Sequence, residues 1–445
     1  MAVHCACQRD GVRQWFSIRE QAGAKVSEQD QHAASATAPE AYDVVVSGIG
    51  MVGAVLAVLL GRAGWSVAMV DPRPGPLDRQ RLPLASPAPR VSALTPVSQR
   101  LLQGIGAWTD ITSRRVTPYT GMQVWDAEGS GEIRFRADQA GVSVLGHIVE
   151  NDLVLASLEA CLDALPQIRR FYGQRIVSLA GSDDMREVGL EDGRTLSAPL
   201  VVGADGARSP LRELAGIEVS QHDTGHQAVV TTVRTERQHG AVARQAFLPS
   251  GPLAFLPLTV DGDSHYCSIV WSTSPEHAQQ LCEMPSEALG QAMGAAVDHC
   301  LGAVEVLDQA IRFPLSQRHA ERYHQPGLAL VGDAAHSIHP LAGQGVNLGF
   351  LDAAVLAEEL LEGRRRGVSP GNIRLLARYE RRRRGDNSMM LVMMDGFRRL
   401  FGSRHPGITL LRNLGLSGVD RVSLLKRLIM QQATGSRGRL PASCR

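Results

Sequence analysis

The sequence has 445 residues, of which 44% are hydrophobic and 20% charged, and its 45 glycines are spread along the chain. We therefore expect a globular protein of two or three domains, or one large composite domain, and exclude a disordered or fibrous chain. Its 46 basic and 45 acidic side chains leave no global field for nucleic acid, and seven scattered cysteines without C-x-x-C or zinc spacing predict neither a disulfide framework nor a metal site.

Residues 1–40 are polar, rich in Gln and Ala, and without sustained periodicity. We expect these residues to be either a disordered leader or the result of a start codon assigned too far upstream. A transit peptide is the alternative, although Glu20, Glu28 and Asp30 argue against it because such peptides are poor in acidic residues. The sequence shows neither an export signal nor a run of about 18 apolar residues that would span a membrane, so we expect a cytoplasmic protein.

A strand–turn–helix–strand unit begins at Tyr42. Apolar runs predict a strand, a helix and a second strand at residues 42–47, 54–64 and 66–70. The first turn carries the pattern G-x-G-x-x-G, and Asp71 follows the first of these glycines by 23 residues. This is the context of a dinucleotide-binding turn, in which the acid accepts hydrogen bonds from the adenosine ribose.

The residues of this turn have distinct expected roles. Gly48 permits the tight turn, Gly50 lets the backbone approach a pyrophosphate, and Gly53 allows close contact between helix and strand. Met51 and Val52, just before the predicted helix, are further candidates for cofactor binding, because unpaired amides and the positive end of the helix dipole at the helix N-terminus favour an anion.

Two later junctions repeat the step from strand to glycine. Residues 200–203 predict a strand that leads into Asp205 and Gly206, and residues 328–331 predict one that leads into Gly332 and Asp333. A loop and a long helix follow, with the candidate site residues His336, His339, Pro340, Gly343, Gly345, Val346 and Asn347. Because ligands bind at the carboxyl ends of strands in open α/β sheets, we expect the three junctions to meet at one site.

Between these junctions the pattern changes to short alternating strands. A hairpin is predicted at residues 122–125 and 132–136, and further strands at 227–234, 243–248, 253–258 and 265–271. Residues 372–433 predict helices, with a basic run at 381–384 beside several methionines. This region indicates either a helix packed on the nucleotide domain with a solvated basic face, or an amphipathic helix at a membrane or a partner protein.

These blocks resemble the FAD-dependent aromatic hydroxylases of the para-hydroxybenzoate hydroxylase fold and, among them, the ubiquinone-biosynthesis hydroxylases. The resemblance covers nearly the whole chain after residue 41 and depends on the first turn, on Gly203-Ala-Asp205-Gly206 and on the long motif from Gly332 to Asn347. Residues 90–94, 145–151, 242–247 and 254–258 are most similar to the branch that hydroxylates a polyprenylphenol at C5 of the ring. One small departure is Asp71, where relatives usually carry Glu.

The fold class implied by the resemblance is α/β, with a Rossmann-like FAD-binding domain interleaved with a mostly antiparallel-sheet substrate domain. The expected FAD-binding domain comprises residues 41–116, 146–216 and 318–371. The expected substrate domain comprises residues 117–145 and 217–317, and a C-terminal helical region covers residues 372–435.

The resemblance also implies roles for the later motifs. Asp333 is expected to bind the ribityl chain of FAD, and Arg90 to lie against the flavin. Asp205 and Gly206 are expected to contact FAD and the nicotinamide donor, NADH or NADPH.

The last loop is expected to hold the reactive end of the flavin. Amides near Gly345, Val346 and Asn347 would stabilise the negative charge of the reduced ring, and glycine at 343 and 345 would let the ring come close. His336, His339 and Pro340 are the candidate catalytic residues, with His147 as a further candidate base. For each histidine, a structural hydrogen-bonding role is the alternative.

The activity implied is hydroxylation of a polyprenylphenol ring in ubiquinone biosynthesis, with NAD(P)H and O₂, through a flavin C4a-hydroperoxide. Peripheral membrane contact is expected with it, and the partners considered are other ubiquinone-biosynthesis proteins and a second copy of the chain. One alternative is a hydroxylase of the same family acting at C6 or C1. Others are a flavin reductase or dehydrogenase on the same fold without oxygen insertion, and a flavoprotein that is only a structural member of an assembly.

Overall fold

The computed structural model describes residues 38–79, 82, 87–337, 345–402, 435 and 439–445. The chain divides into two units, residues 1–38 and 39–445, and the helices and strands belong to the second. The predicted leader lies outside the described residues except for residues 38–40.

Several helices begin where the local sequence provides a cap. Thr95, Ser209 and Ser274 each accept a backbone hydrogen bond at a helix start, and each is followed by proline at the first helical position. The helices within the described residues are α1 Met51–Arg62, α2 Pro96–Gly104, α3 Ala107–Arg114, α4 Asn151–Asp163, α5 Pro210–Leu214, α6 Pro275–Glu283, α7 Ser286–Ala296, α8 Gly345–Arg365 and α9 Ile373–Gly402. Short 3₁₀ turns lie at Asp138–Ala140, Gly332–Ala334 and Ala442–Cys444.

The strands alternate with these helices in the first half of the chain and follow one another in the second. They are β1 Glu40–Ala41, β2 Val44–Ser47, β3 Val67–Asp71, β4 Val91–Leu94, β5 Thr117–Tyr119, β6 Gly121–Asp126, β7 Glu132–Arg136, β8 Gly146–Glu150, β9 Ile168–Tyr172, β10 Ile176–Gly181, β11 Arg186–Leu190, β12 Thr195–Ala198, β13 Leu200–Gly203, β14 Val219–Thr235, β15 Val242–Leu248, β16 Gly251–Val260, β17 Asp263–Thr273, β18 Val304–Val306, β19 Ile311–Ala320, β20 His324–Gln325, β21 Leu328–Leu330 and β22 His336–Ser337.

A six-stranded sheet has the order β20-β21-β13-β2-β3-β9 and is parallel except for β20. Strands β2, β13 and β21 are fully buried, as expected for parallel strands covered by helices on both faces. In the register, Gly203 pairs with both Ser47 and Leu330. The three strands therefore end side by side, and the junctions that follow them meet at one edge of the sheet.

A nine-stranded sheet has the order β22-β19-β14-β17-β16-β15-β6-β7, with β18 paired to β14. Its pairings are antiparallel except between β15 and β6, and the predicted hairpin is confirmed as β6 and β7. Helices α6 and α7 cover one face, where Leu281 and Met293 pack on the sheet. The opposite face carries Ala254 and Leu256 and faces the edge of the parallel sheet where the three junctions meet.

Two small sheets complete the fold, in the orders β1-β12-β11-β10 and β4-β8-β5. The largest apolar core lies around the parallel sheet, with α1 packed on α8 and α8 packed on α9. Among the described helices, none combines the length and the apolar character needed to cross a membrane.

Candidate active site

The first junction is shaped by glycines that leave no room for a side chain. Gly48 has φ +101°, and a Cβ atom there would lie 2.4 Å from the carbonyl oxygen of Ala204. A Cβ atom on Gly53 would lie 2.3 Å from the carbonyl oxygen of Gly48. Gly50 differs, because a Cβ atom there would meet nothing within 4 Å, and no side chain caps the start of α1. The helix start is thus open to an anionic ligand.

Asp71 is held beside this turn by backbone amides. One carboxylate oxygen accepts from the amide of Ile49 at 2.6 Å and the other from the amide of Arg73 at 2.9 Å. Arg73 forms an ion pair with the buried Glu159 at 2.6 Å and was missed by the sequence reasoning. A basic residue two positions after the strand acid was the available signal. The carboxylate therefore has a fixed orientation and retains lone pairs for a ribose.

The second junction turns its acidic side chain into the protein. Asp205 accepts hydrogen bonds from the Ser47 hydroxyl at 3.0 Å and the Leu211 amide at 3.1 Å. Burial raises the pKa of Asp205, although these hydrogen bonds oppose that shift. Its carboxylate joins β13 to β2 and α5, while the backbone of Gly206 lines the cleft described below.

The third junction presents Asp333 to the cleft. Gly332 adopts φ +59°, and its amide donates to Asp352 of α8 at 3.0 Å. The protein around Asp333 raises the pKa of its carboxyl through desolvation, against the charges of His336 and Arg90. His336 itself is 2% exposed, and its Nε2 lies 2.6 Å from Asp352.

The side chain of Asn347 connects the start of α8 to neighbouring elements of the core. Its side-chain oxygen accepts from the Thr95 amide at 3.0 Å and the Ser98 hydroxyl at 2.7 Å, and its amide nitrogen donates to the Ala93 carbonyl at 2.8 Å. These bonds connect α8 to β4 and α2, so the side chain of Asn347 stabilises the helix start. Gly345 and Val346, which precede it, line the cleft described below. His339, Pro340 and Gly343 lie outside the described residues.

A cleft of about 450 Å³ joins the three junctions to the apolar face of the nine-stranded sheet. The predicted site residues that line it are Gly50, Met51, Val52, Arg90, Gly206, Asp333, Gly345 and Val346. Those that lie behind this lining are Gly48, Gly53, Asp71, Asp205, Gly332, His336 and Asn347.

The wall opposite the junctions is almost entirely aliphatic and aromatic. It is formed by Val230, Ala254, Leu256, Val270, Phe313, Pro314 and Leu315. Arg90 lies over the ring of Phe313, with 5.9 Å from its guanidinium carbon to the ring centre. Among the described lining residues, only Arg90 and Asp333 are titratable. The cleft therefore joins a polar edge suited to a nucleotide to an apolar wall suited to an apolar substrate.

The uncapped start of α1, the Asp71 carboxylate with lone pairs available to a ribose, and the two glycines, Gly48 and Gly53, where no Cβ atom fits are suited to FAD. Together with the facing antiparallel sheet, these features define an FAD-dependent monooxygenase. Residues 41–391 match the model of the FAD binding domain family, FAD_binding_3. The chain belongs to that family and, within it, to the ubiquinone-biosynthesis hydroxylases, which confirms the resemblance found in the sequence motifs.

Three curated relatives match over nearly their whole length. The 3-demethoxyubiquinol 3-hydroxylase of Escherichia coli is 37% identical, over 88% of this chain and 98% of the relative. The ubiquinone hydroxylase UbiL of Rhodospirillum rubrum is 38% identical, over 90% and 91%. The mitochondrial ubiquinone biosynthesis monooxygenase COQ6 of Xenopus tropicalis is 35% identical, over 92% and 97%.

Solved structures agree with the fold. The p-nitrophenol 4-monooxygenase PnpA of Pseudomonas putida superimposes with a TM-score of 0.71 at 21% identity, covering 90% of this chain and all of that one. PqsL of P. aeruginosa, in complex with 2-aminobenzoylacetate, gives 0.70 at 24% identity, over 85% of this chain and all of the other. The predicted α/β fold class is therefore confirmed.

Proposed function

We propose that the protein uses NADH or NADPH and O₂ to hydroxylate the aromatic ring of a polyprenylphenol intermediate in ubiquinone biosynthesis. The observation that carries the proposal is the single cleft in which the three junctions face an aliphatic wall. In this proposal, residues 41–116, 146–216 and 318–371 form the FAD-binding domain. Residues 117–145 and 217–317 form the substrate domain, and residues 372–435 form the C-terminal helical region.

FAD would be held along the edge of the parallel sheet. The amides at Met51 and Val52 would receive the pyrophosphate, since Gly50 leaves that approach open. Asp71 would accept from the adenosine ribose and Asp333 from the ribityl chain. The start of α8 at Gly345 and Val346 would supply positive potential to the ring end of the cleft.

The substrate ring would lie against the nine-stranded sheet. When bound, reduced FAD supplies the activated oxygen, so that one oxygen atom enters the ring and the other leaves as water while NAD(P)H is oxidised. The side chains of Val230, Leu256, Val270 and Leu315 would exclude bulk water from this step. Because the proposed substrate carries a polyprenyl tail, we further propose that the protein meets it at a membrane surface.

The candidate proton-transfer groups differ in how the protein presents them. His336 lies behind the cleft and is bonded to Asp352, which supports a structural role for its ring. His339 and Pro340, which lie outside the described residues, remain proposals as catalytic residues. Asp333 and Arg90 are the described titratable groups that reach the cleft.

The test is to reduce the FAD-loaded protein with NADH or NADPH without oxygen, add O₂ with a polyprenylphenol, and analyse the products. Hydroxylated phenol in proportion to NAD(P)H consumed would support the proposal. Hydrogen peroxide alone would instead favour a reductase or dehydrogenase. The quinone intermediate that accumulates in cells lacking the protein would identify the ring carbon, C5, C6 or C1.

A further inference from the structure

A buried polar cluster lies beneath the third junction. It consists of His336, Asp352, Arg383 and Asn387, whose exposures are 2%, 0%, 3% and 0%. The members come from β22, which follows the third junction, from α8 and from α9. Burying charged side chains is costly unless every one is paired, so such a cluster holds its neighbours in one arrangement.

Asp352 stands at the centre and bonds in two directions. One oxygen accepts from the Gly332 amide at 3.0 Å and from His336 Nε2 at 2.6 Å. The other accepts from Arg383 Nε at 2.7 Å and from the Asn387 side-chain amide at 3.2 Å. The carboxylate thus joins the loop that carries Asp333 to helix α9.

Helix α9 is in turn fixed to the parallel sheet. Arg383 also donates to Asn387 at 2.8 Å, and the Tyr379 hydroxyl donates to the carbonyl of Leu330 in β21 at 2.7 Å. Burial alone would raise the pKa of Asp352, but the charges of His336 and Arg383 hold it at about 2. The carboxyl of Asp352 therefore stays ionised at physiological pH.

The other arginines of the basic run at residues 381–384 make different contacts. Arg381 is exposed, and Arg384 pairs with Glu380 of its own helix at 2.8 Å. Arg382 pairs with Glu358 and Glu359 of α8 at 2.6 Å and 2.9 Å, far along α8 from Asp352. Within this run, Arg383 alone is bonded to Asp352 among the described contacts.

We propose that Arg383 and Asn387 of α9, acting through Asp352, are positioning residues for FAD. Gly332 is held in a left-handed conformation by the bond from its amide to Asp352, and the next residue is Asp333. Loss of Arg383 or Asn387 releases the carboxylate of Asp352. Asp333 then loses its fixed position in the lining of the cleft. None of these three side chains lines the cleft, so they act on FAD only through the loop. The inference depends on the proposed binding of FAD.

The test compares FAD affinity in the full-length chain and its variants Arg383→Gln, Asn387→Ala and Arg382→Gln. FAD is titrated into each apoprotein, and the visible circular dichroism of the bound flavin is recorded. We expect Arg383→Gln to weaken binding at least tenfold and to alter the dichroism, and Asn387→Ala to weaken it several-fold. Arg382→Gln removes an ion pair between the same two helices, and we expect it to bind FAD within twofold of the parent.

The outcomes separate the two proposals. If the parent chain does not bind FAD, the proposed function fails. If the parent binds and Arg383→Gln binds equally well with the same dichroism, the positioning role is refuted and the function stands. Equal losses in Arg382→Gln and Arg383→Gln would also refute it, because the effect would then follow any weakening of the α8–α9 contact. If Arg383→Gln does not fold, unchanged affinity in Asn387→Ala gives the same refutation.

Discussion

The first and third junctions follow β2 and β21, which lie on either side of β13 in one sheet, yet different forces shape them. The turn from Gly48 to Gly53 is fixed by backbone packing, because a Cβ atom on Gly53 would collide with the carbonyl of Gly48, and one on Gly48 would collide with the carbonyl of Ala204 in the second junction. The turn at Gly332 is fixed by side chains, with Asp352 lying 20 residues later and Arg383 another 31 residues beyond it. Close backbone packing at two glycines therefore shapes the first junction, whereas the third depends on side chains from helices later in the chain.

The largest effect should come from breaking the first junction with Gly53→Ala. The new methyl group would lie 2.3 Å from the Gly48 carbonyl oxygen, so α1 or the turn must move. We expect the apoprotein to lose about 3 kcal/mol of unfolding free energy in urea and to retain no FAD after purification.

Gly50→Ala is the matched control for this substitution. Nothing lies within 4 Å of its Cβ position, so the apoprotein should lose less than about 1 kcal/mol while FAD binding weakens. Equal stability losses in the two variants would contradict the assignment of Gly53 to packing and Gly50 to the ligand.

Acid pH should distinguish Asp352 of the buried polar cluster from another buried group, His147. This ring packs edge-on against Trp108 with 5.0 Å between ring centres, and burial lowers its pKa to about 4. The unfolded chain takes up this proton near pH 6.5, so the stability is complete above that pH and is lost as the pH falls toward 4. We expect a loss of about 3 kcal/mol across this window, measured by urea unfolding at several pH values.

The variant His147→Leu should reduce that pH dependence. His319, whose pKa is also lowered to about 4, mainly by burial, accounts for a further part of the slope. Asp352 contributes little in this window, because its pKa is 3.8 in the unfolded chain and about 2 in the folded one, so its stabilising effect is lost only below about pH 4. An unchanged slope in His147→Leu would show that its ring is not kept neutral by burial.

At the third junction, Asp333→Asn keeps the shape of the side chain and removes its charge. Hydrogen bonds to a charged acceptor are worth about 1.5–3 kcal/mol, so FAD affinity should fall by about tenfold to a hundredfold. Because Asp333 is exposed at the cleft, the apoprotein should be about as stable as the parent. The exposed Asp183→Asn serves as control and should change neither quantity. Full FAD affinity in Asp333→Asn would remove that residue from the cofactor site.

The difference between the junctions also explains which features of the fold could be predicted from the sequence and which could not. The three strand ends and the hairpin were found because their patterns are local. The first half of β14 was missed because residues 219–226 are polar and largely exposed, unlike the buried stretch that follows. The small sheet of β1 and β10–β12 was missed as well, since its pairing depends on contacts distant in sequence.

Side-chain directions at the site were harder to predict than the loops themselves. Asn347 bonds to Thr95, 252 residues earlier, and no local pattern indicates that partner. His336 belongs to a motif expected to serve the flavin, but its ring faces Asp352. Asp352 did leave a signal, because a single acid on an otherwise apolar helix face requires a buried partner.

The smallest predicted effect, from Gly385→Ala, tests whether the third junction depends on specific bonds or only on the stability of α9. Gly385 is exposed, lies between Arg383 and Asn387 in the helix, and has nothing within 4 Å of its Cβ position. Alanine should therefore stabilise α9 by about 0.5–1 kcal/mol in urea unfolding. FAD affinity should not change, because neither the Arg383 nor the Asn387 bond is touched.

Gly363→Ala provides the opposite perturbation in α8, where the added methyl would lie 2.3 Å from a Leu375 methyl group. It should lower stability, and its effect on FAD affinity should again be small, since it lies away from Asp352. If affinity instead rose and fell with stability across these two variants, general helix stability would set the geometry of the third junction. The contrast with the first junction would then be one of degree only.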